Sequence, residues 1–283
     1  MSTAVIGGVS VGYDDEGDGP ALLLVHGHPF DRSMWSPQVR EFAPAGWRVI
    51  APDLRGFGET SAGGELAWDT FARDLAALLD HLGVAGVVIG GLSMGGQIAM
   101  EFCRLFPARV RAVVLAATFA TLDTPEGRQR RVEMAGRLRR EGMAGYATEV
   151  LPKMMSPASI QALPAVAGHV LAMMRGAPPE GAAAAALARC GRPDYTGVLG
   201  GLAVPALIVV GTEDGFTPVS DAEYMHGLIP HATLAVITGS GHLPNLERPA
   251  EFNQALRRFL AGLPAGPGAS AGAGARTPGD GGE

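Results

Sequence analysis

Apolar residues recur along the chain in two alternating patterns, one typical of buried strands and the other of amphipathic helices. Short apolar runs predict strands at 21–27, 47–56, 87–91, 109–118, 205–214 and 233–241. Helices are predicted at 33–46, 68–83 and 94–105, and after each of the last two strands. The clearest is 68–83, in which Phe71 and Leu75 belong to an apolar set at helical spacing. Strands and helices that alternate in this way predict an α/β protein, with a parallel sheet covered by helices on both faces.

The alternation stops between residues 119 and 201. Strand patterns are missing from this stretch, which is rich in alanine, methionine and arginine. Six arginines in 128–142 are typical of a solvated helix face. The methionines fit either core packing or an adaptable wall of an apolar pocket. We therefore predict a helical insertion at 119–201 that lies over a core formed by 1–118 and 202–262.

Composition restricts the classes of partner and compartment. A formal net charge of -6 argues against nucleic acid, whose phosphates require a basic face. The two cysteines, Cys103 and Cys190, indicate no disulfide framework, and neither a signal-peptide pattern nor a membrane-spanning apolar run occurs. We expect a cytoplasmic protein without a membrane partner. Residues 263–283 are dominated by glycine, alanine and proline, which predicts a disordered tail. The sequence leaves the oligomeric state open.

The segment GLSMG, residues 91–95, lies between a predicted strand and a predicted helix. Ser93, flanked by Gly91 and Gly95, has the G-x-S-x-G spacing of a nucleophile elbow. A serine there adopts a strained backbone that lifts its hydroxyl clear of the sheet, at a cost of about 1–3 kcal/mol. The glycines are required where strand and helix pass too close for a β-carbon. A plain strand-to-helix turn uses the same residue types and is the alternative for this segment. Glycine loops that bind phosphates or dinucleotides need other spacings.

A serine hydroxyl becomes a strong nucleophile when a base takes its proton and an acid orients that base. Asp214 ends the predicted strand 205–214, and His242 follows the strand 233–241. The order serine, acid, histidine is that of hydrolases with a nucleophile elbow. Glu213 is the rival acid, but strand alternation points its side chain elsewhere. We predict a catalytic triad of Ser93, His242 and Asp214.

His26, Gly27 and His28 follow the first long predicted strand. Two histidines suggest a metal pair, but no third ligand with a suitable spacing follows, so we predict neither a metal nor a cofactor. The alternative is a loop whose backbone stabilises a tetrahedral intermediate, since two N–H groups can hold the developing negative charge. We predict that the amides of His28 and Met94 form this oxyanion hole, a role for which the His28 side chain is not needed.

From about residue 10 to residue 262 the chain resembles the α/β-hydrolase family. The motifs that carry the resemblance, in the family's order and spacing, are HGHPFDRSMW, APDLRGFGET, GLSMGG, GTEDGFTP and GSGHLPNLERPAEF. The resemblance implies a mostly parallel eight-stranded sheet and a helical cap at 119–201. It also implies the triad and oxyanion roles given above. GLSMGG and GHLPNLERP are most similar to the motifs of 3-oxoadipate enol-lactonases and small carboxylesterases, and cofactor-free haloperoxidases are similar too.

These observations lead to three hypotheses about function. The first is a serine hydrolase that cleaves a small, partly apolar ester or lactone through an acyl-enzyme intermediate. The second keeps the triad but cleaves a carbon–carbon bond or transfers the acyl group to peroxide. The third is a binding protein that keeps the fold without the chemistry. The sequence does not identify the natural substrate.

Overall fold

One eight-stranded sheet forms the centre of the protein in this computed structural model, which describes residues 2–64 and 66–264. Its strands are β1 (Ser2–Ile6), β2 (Val9–Glu16), β3 (Ala21–Val25), β4 (Arg48–Pro52), β5 (Val87–Leu92), β6 (Val110–Ala116), β7 (Ala206–Gly211) and β8 (Thr233–Ile237). Their order across the sheet is β1-β2-β4-β3-β5-β6-β7-β8. The β1–β2 and β2–β4 pairs are antiparallel, and the other neighbours are parallel. The predicted mostly parallel, eight-stranded sheet is confirmed.

The two N-terminal strands have no counterpart among the strands that the hydrophobic pattern predicts. β1 and β2 form a hairpin through Gly7 and Gly8, whose φ angles of 57° and 81° suit a tight turn between antiparallel strands. β1 alternates exposed and buried residues over part of its length, and β2 ends in acidic residues. Because the hairpin lies at the sheet edge, neither strand carries the long apolar run that marks a central strand.

The central strands are buried on both faces. In β3, Leu23 and Val25 belong to the apolar cluster on one side of the sheet, whereas Leu22 and Leu24 belong to the cluster on the other side. Both clusters are covered by helices, which explains the uninterrupted apolar run of this strand. β3 ends at Val25 and β7 ends at Gly211, earlier than predicted. The residues that follow them are therefore free to form loops at the carboxyl edge of the sheet.

Twelve α-helices occur in the described residues. They are α1 (Ser36–Phe42), α2 (Trp68–His81), α3 (Met94–Leu105), α4 (Pro125–Glu141), α5 (Met143–Met154), α6 (Pro157–Ala162), α7 (Pro164–Gly176), α8 (Pro179–Cys190), α9 (Thr196–Gly200), α10 (Val219–Leu228), α11 (Pro244–Glu247) and α12 (Pro249–Ala261). The helix predicted at 33–46 is shorter and is preceded by a 3₁₀ turn over Arg32–Trp35. Across 2–64 and 66–264, no helix combines the length and apolarity needed to cross a bilayer. Cys103 and Cys190 are both free thiols.

Helices α4 to α9 lie between β6 and β7, and we call them the inserted helices. Four of them, α4, α6, α7 and α8, begin at a proline, whose fixed φ suits a first helical position. Within the insertion α4 packs against α8, and α5 packs against α7. Most of the predicted tail lies outside the described residues, because the structure describes only 263 and 264 of it.

Candidate active site

Ser93 lies in a tight turn between β5 and α3. Its backbone has φ 56° and ψ -114°, in the left-handed region that non-glycine residues avoid. A β-carbon on Gly91 would lie 2.1 Å from the carbonyl oxygen of Gly95, and one on Gly95 would lie 2.1 Å from that of Val25. Neither position can therefore carry a side chain. The turn places Ser93 at the N-terminus of α3, whose positive end faces the same side.

The loops after β7 and β8 bring an acid and a base together. The distance from His242 Nδ1 to Asp214 Oδ2 is 2.8 Å, and to Oδ1 it is 3.0 Å. The Asp214 carboxylate also accepts the N–H groups of Phe216 and Thr217, at 2.8 and 3.0 Å, and the Thr217 hydroxyl. Since His242 donates through Nδ1, its Nε2 is the nitrogen that can exchange a proton with a reacting group.

The carboxyl group of Asp214 is held in its charged form. Burial alone would raise its pKa, but the attraction of His242 and the hydrogen bonds from His242, Thr217 and Phe216 outweigh burial and lower it. Asp214 is 9% exposed, so this compensation comes from protein groups rather than from bulk water.

The rival acid points away from this arrangement. Glu213 is exposed, and its backbone N–H donates to the carbonyl of Ser240 at 2.8 Å. The helix after Asp214, α10, begins at Val219 with Pro218 as its N-cap. Thr217 lies in the loop before it, where its hydroxyl holds the carboxylate of Asp214.

A cavity of about 320 Å³ lies between the carboxyl edge of the sheet and the inserted helices. From the core it is lined by His28, Ser93, Phe216, Thr217 and His242. From the insertion, 119–201, it is lined by Phe119, Asp123, Gly127, Arg130, Arg131, Met134, Tyr146, Met154 and Arg189. Ser93 and His242 thus face one space, with Asp214 behind His242. Sequence reasoning did not single out Phe216, whose ring centroid is 5.0 Å from that of His242.

The loop after β3 runs along the Ser93 turn. A β-carbon on Gly27 would lie 3.0 Å from the Leu92 carbonyl oxygen and 3.4 Å from the Ser93 Cβ. This approach brings the backbone at residues 27 and 28 next to Ser93. Met94, the other residue predicted to form the oxyanion hole, is the first residue of α3 and is fully buried.

Both histidines of this loop are buried, and each is bonded to backbone. The His26 Nδ1 lies 2.9 Å from the Gly27 oxygen, and its Nε2 accepts the Leu54 N–H at 2.9 Å. The His28 Nε2 lies 2.9 Å from the carbonyl oxygen of Ala182 in α8. Burial lowers the pKa of His26, and it lowers that of His28 to about 3, so both rings are neutral near pH 7. Over the residues described, no three His, Cys, Asp or Glu side chains are grouped to hold a metal ion.

The wall formed by the inserted helices is rich in arginine. Arg189 is 9% exposed and donates from Nε to Gln97 Oε1 at 2.7 Å. Burial lowers its pKa well below the ordinary value, and the nearby charge of Arg131 adds to this effect. Arg131 itself forms a two-point ion pair with Asp123, with both distances 2.8 Å. With Arg130, these side chains place three guanidinium groups and one carboxylate around the cavity.

The prediction of a solvated arginine face at 128–142 describes the exposed Arg130 and also Arg137, which pairs with Glu141 and Glu149 at the surface. It does not describe Arg131, which is half-buried, pairs with Asp123 and lines the cavity. Arg189 was not singled out at all. The signal that could have found it is a lone arginine in the alanine-rich run GAAAAALARC of α8.

Comparisons with known proteins agree with this architecture. Residues 20–249 match the family model described as alpha/beta hydrolase fold. A thermophilic esterase from Thermogutta terrifontis, solved with malate bound, superposes with a TM-score of 0.88 at 39% identity, over 92% of this chain and 97% of that one. A 3-oxoadipate enol-lactonase from Acinetobacter baylyi is 29% identical over 87% of this chain and 90% of its own length.

A third similar protein is a bromoperoxidase from Bacillus anthracis. Its structure superposes with a TM-score of 0.82 at 26% identity, over 92% of this chain and all of that one (100%). The match to the family model spans most of the described residues, including every strand from β3 to β8. The chain belongs to the α/β-hydrolase family.

Proposed function

We propose that this protein is a serine hydrolase that cleaves a small ester or lactone through an acyl-enzyme intermediate. The observation that carries the proposal is the convergence of Ser93 and His242 on one cavity, with His242 Nδ1 bonded to Asp214 at 2.8 Å. The esterase and the enol-lactonase described above support the same class of reaction.

Acylation starts when Ser93 Oγ attacks the carbonyl carbon of the substrate. His242 Nε2 takes the hydroxyl proton, and Asp214 stabilises the imidazolium that forms. The carbonyl oxygen becomes an oxyanion, held by the backbone N–H groups of His28 and Met94. The carbon–oxygen bond then breaks, and the alkoxide leaves with the proton from His242. With a lactone, the leaving hydroxyl stays attached to the acyl group.

Deacylation repeats these steps with water as the nucleophile. His242 removes a proton from the water, which attacks the acyl carbon, and a second oxyanion forms at the same two N–H groups. Collapse of this intermediate returns the proton to Ser93 Oγ and releases a carboxylic acid. In both halves of the reaction His242 carries the proton and the two backbone N–H groups hold the oxyanion, while water supplies the second nucleophile.

The arginine wall supports a substrate that carries a carboxylate of its own. Arg189 is buried beside Arg131, so its positive charge lies in an unfavourable place until an anion approaches. Asp123 is already engaged by Arg131 through two hydrogen bonds. A carboxylate in the cavity would give Arg189 a charged partner, and a guanidinium group binds carboxylates through two parallel bonds. Malate, bound in the similar esterase, is a dicarboxylate.

The remaining lining fits a short acyl or lactone body. Phe119, Met134, Tyr146 and Met154, all from the insertion, offer apolar surface. A volume of about 320 Å³ holds a compact molecule rather than a long lipid chain.

A fluorophosphonate probe tests the nucleophile directly. We expect it to label the folded protein, and Ser93→Ala to abolish both labelling and hydrolysis of p-nitrophenyl acetate. Ser220→Ala, on the exposed side of α10, is the matched control and keeps both. Folded protein that resists the probe would overturn the proposal and favour a binding protein of this fold.

A second candidate is acyl transfer to hydrogen peroxide, which the bromoperoxidase likeness supports. The acyl-enzyme would form as above, and peroxide would replace water in the second attack to give a peracid. Peracid formation measured against acetate release, in one sample with both nucleophiles present, distinguishes the two reactions. A vinylogous diketone in the same substrate panel tests carbon–carbon bond hydrolysis.

A further inference from the structure

We propose that the side chain of His28 is a positioning residue that fastens the oxyanion-hole backbone to helix α8 of the insertion. The inference rests on the proposed function, because it assigns a purpose to His28 only if its own N–H binds the oxyanion. The sequence required the amide alone, whereas the structure gives the ring a partner 154 positions further along the chain.

The contact is a buried hydrogen bond with a defined direction. His28 is 7% exposed, and its Nε2 lies 2.9 Å from the carbonyl oxygen of Ala182. A carbonyl oxygen only accepts, so Nε2 carries the proton of the neutral ring and donates it. The imidazole and the Phe57 ring meet in a T-shaped contact, with 6.0 Å between centroids and 84° between planes. The ring is therefore held both by packing and by one directed bond.

A second contact seats the same end of α8 on the core. A β-carbon on Gly181 would lie 1.9 Å from the carbonyl oxygen of Gly56, and one on Gly56 would lie 3.0 Å from the Gly181 Cα. The two backbones touch without side chains between them. Gly181 precedes Ala182, so the acceptor of the His28 bond is fixed in position by this approach.

The opposite end of α8 contacts the other element of the proposed oxyanion hole. Arg189 donates to Gln97 Oε1, and Gln97 lies one turn after Met94 in α3. Helix α8 thus contacts the His28 loop near its start and the nucleophile helix near its end. On the core side, His26 holds the same loop through the Leu54 N–H. The backbone of residues 26–28 is therefore held by the core through His26 and by the insertion through His28.

This arrangement has a consequence for catalysis. An oxyanion hole works because its donors are aimed before charge develops, so no reorganisation is needed during the reaction. Core contacts hold Gly27, whose N–H donates to Met34 Sδ at 3.4 Å and whose carbonyl accepts the Phe30 N–H at 3.0 Å. The bond to Ala182 adds a restraint on the next residue, His28, from the inserted helices, which makes the rate of the chemical step depend on them.

The test compares His28→Phe, which keeps a planar ring but loses the donor, with His28→Gln, which keeps an N–H at the end of the side chain. We expect His28→Phe to lower kcat for p-nitrophenyl acetate by about 10- to 100-fold. This decrease is smaller than the one caused by removing an oxyanion donor completely, because the His28 N–H is still present. The Ki of a trifluoromethyl ketone, which forms the oxyanion on Ser93, rises by the same factor, while KM changes less than about threefold. His28→Gln recovers most of kcat.

His169→Phe is the matched control. His169 also joins an inserted helix, α7, to the core, since its Nε2 lies 3.2 Å from Ser33 Oγ, but it does not line the cavity. We expect it to leave kcat and the Ki of the ketone unchanged.

The inference is overturned if His28→Phe keeps kcat within about threefold of the unaltered protein, or if kcat falls without a matching rise in that Ki. If His28→Phe does not fold, Gly181→Ala displaces α8 with His28 intact, and an unchanged kcat for that variant overturns the inference equally. Fluorophosphonate labelling of Ser93 persists at a reduced rate in His28→Phe and in Gly181→Ala. Its absence in the unaltered protein would instead refute the proposed function.

Discussion

The two walls of the cavity differ in how their charges are balanced. On the core wall, the charged Asp214 carboxylate accepts hydrogen bonds from His242 and Thr217, and His28 is uncharged. On the insertion wall, Arg189 lies buried with no carboxylate ion pair among the described residues. A carboxylate whose hydrogen-bond partners are all supplied by the protein suits a reaction that must return to its starting state. A wall with excess positive charge suits the selection of a substrate that brings the missing anion. In the proposed enzyme, chemistry and selection therefore belong to different parts of the chain.

The largest effect should come from the core wall, through Asp214→Asn. The amide cannot stabilise the imidazolium of His242 and favours the wrong tautomer, so kcat for a neutral ester should fall by about 10⁴-fold. Glu213→Gln, one residue earlier and exposed, should leave kcat unchanged. Steady-state kinetics on p-nitrophenyl acetate checks both variants. A large loss in Glu213→Gln, with Asp214→Asn active, would reverse the assignment of the acid.

The core wall was largely predictable from the sequence, because its residues follow strands. Ser93, Asp214 and His242 each come directly after a recognisable apolar run, and parallel strands bring such positions to one edge of the sheet. The hairpin of β1 and β2 was missed because edge strands lack that run. The arginine wall was missed for another reason. Which face of α4 or α8 meets the cavity depends on how the helices pack. The sequence around an arginine in a helix is the same whether its side chain faces solvent or a cavity, so the sequence alone does not separate the two.

The next largest effect tests the insertion wall, through Arg189→Met. A hydrogen bond to a charged group contributes about 1.5–3 kcal/mol, so kcat/KM for a hemisuccinate ester should fall about 10- to 100-fold. The kcat/KM for the neutral acetate ester should change little, because this ester makes no contact with the guanidinium group. Competition by free succinate should weaken by a similar factor.

Arg128→Met, on the exposed part of α4 and away from the cavity, is the control for Arg189→Met. It should leave kcat/KM unchanged for both the hemisuccinate and the acetate ester. Equal losses on charged and neutral esters in Arg189→Met would mean that Arg189 acts through Gln97 and the nucleophile helix, and the carboxylate subsite would be wrong.

A third effect concerns stability against pH at the junction of the two walls. The pKa of His28 falls from an ordinary 6.5 to about 3 in the folded protein because the ring is buried. As pH drops below 6.5, the unfolded chain binds a proton at His28 and the folded chain does not. The free energy of unfolding therefore falls, by about 2 kcal/mol between pH 7 and pH 5. In His28→Gln the free energy of unfolding should not show this decrease, because glutamine does not titrate. Urea unfolding at both pH values measures it, and parallel losses in the two proteins would contradict a neutral buried ring.

The smallest expected effect comes from a test of whether the insertion and the core unfold together. Thr124 caps α4, since its hydroxyl accepts the Gly127 N–H at 3.1 Å. Thr124→Ala should lower the free energy of unfolding by about 1 kcal/mol, which corresponds to about 2–4 °C in Tm for a domain of this size. Thr124→Ser keeps the cap and should restore most of the loss. If the insertion unfolds with the core, thermal melting shows the full shift while KM for the hemisuccinate ester stays unchanged. If α4 frays alone, Tm stays constant and that KM rises, because Arg130 and Arg131 leave the cavity before the sheet is disturbed.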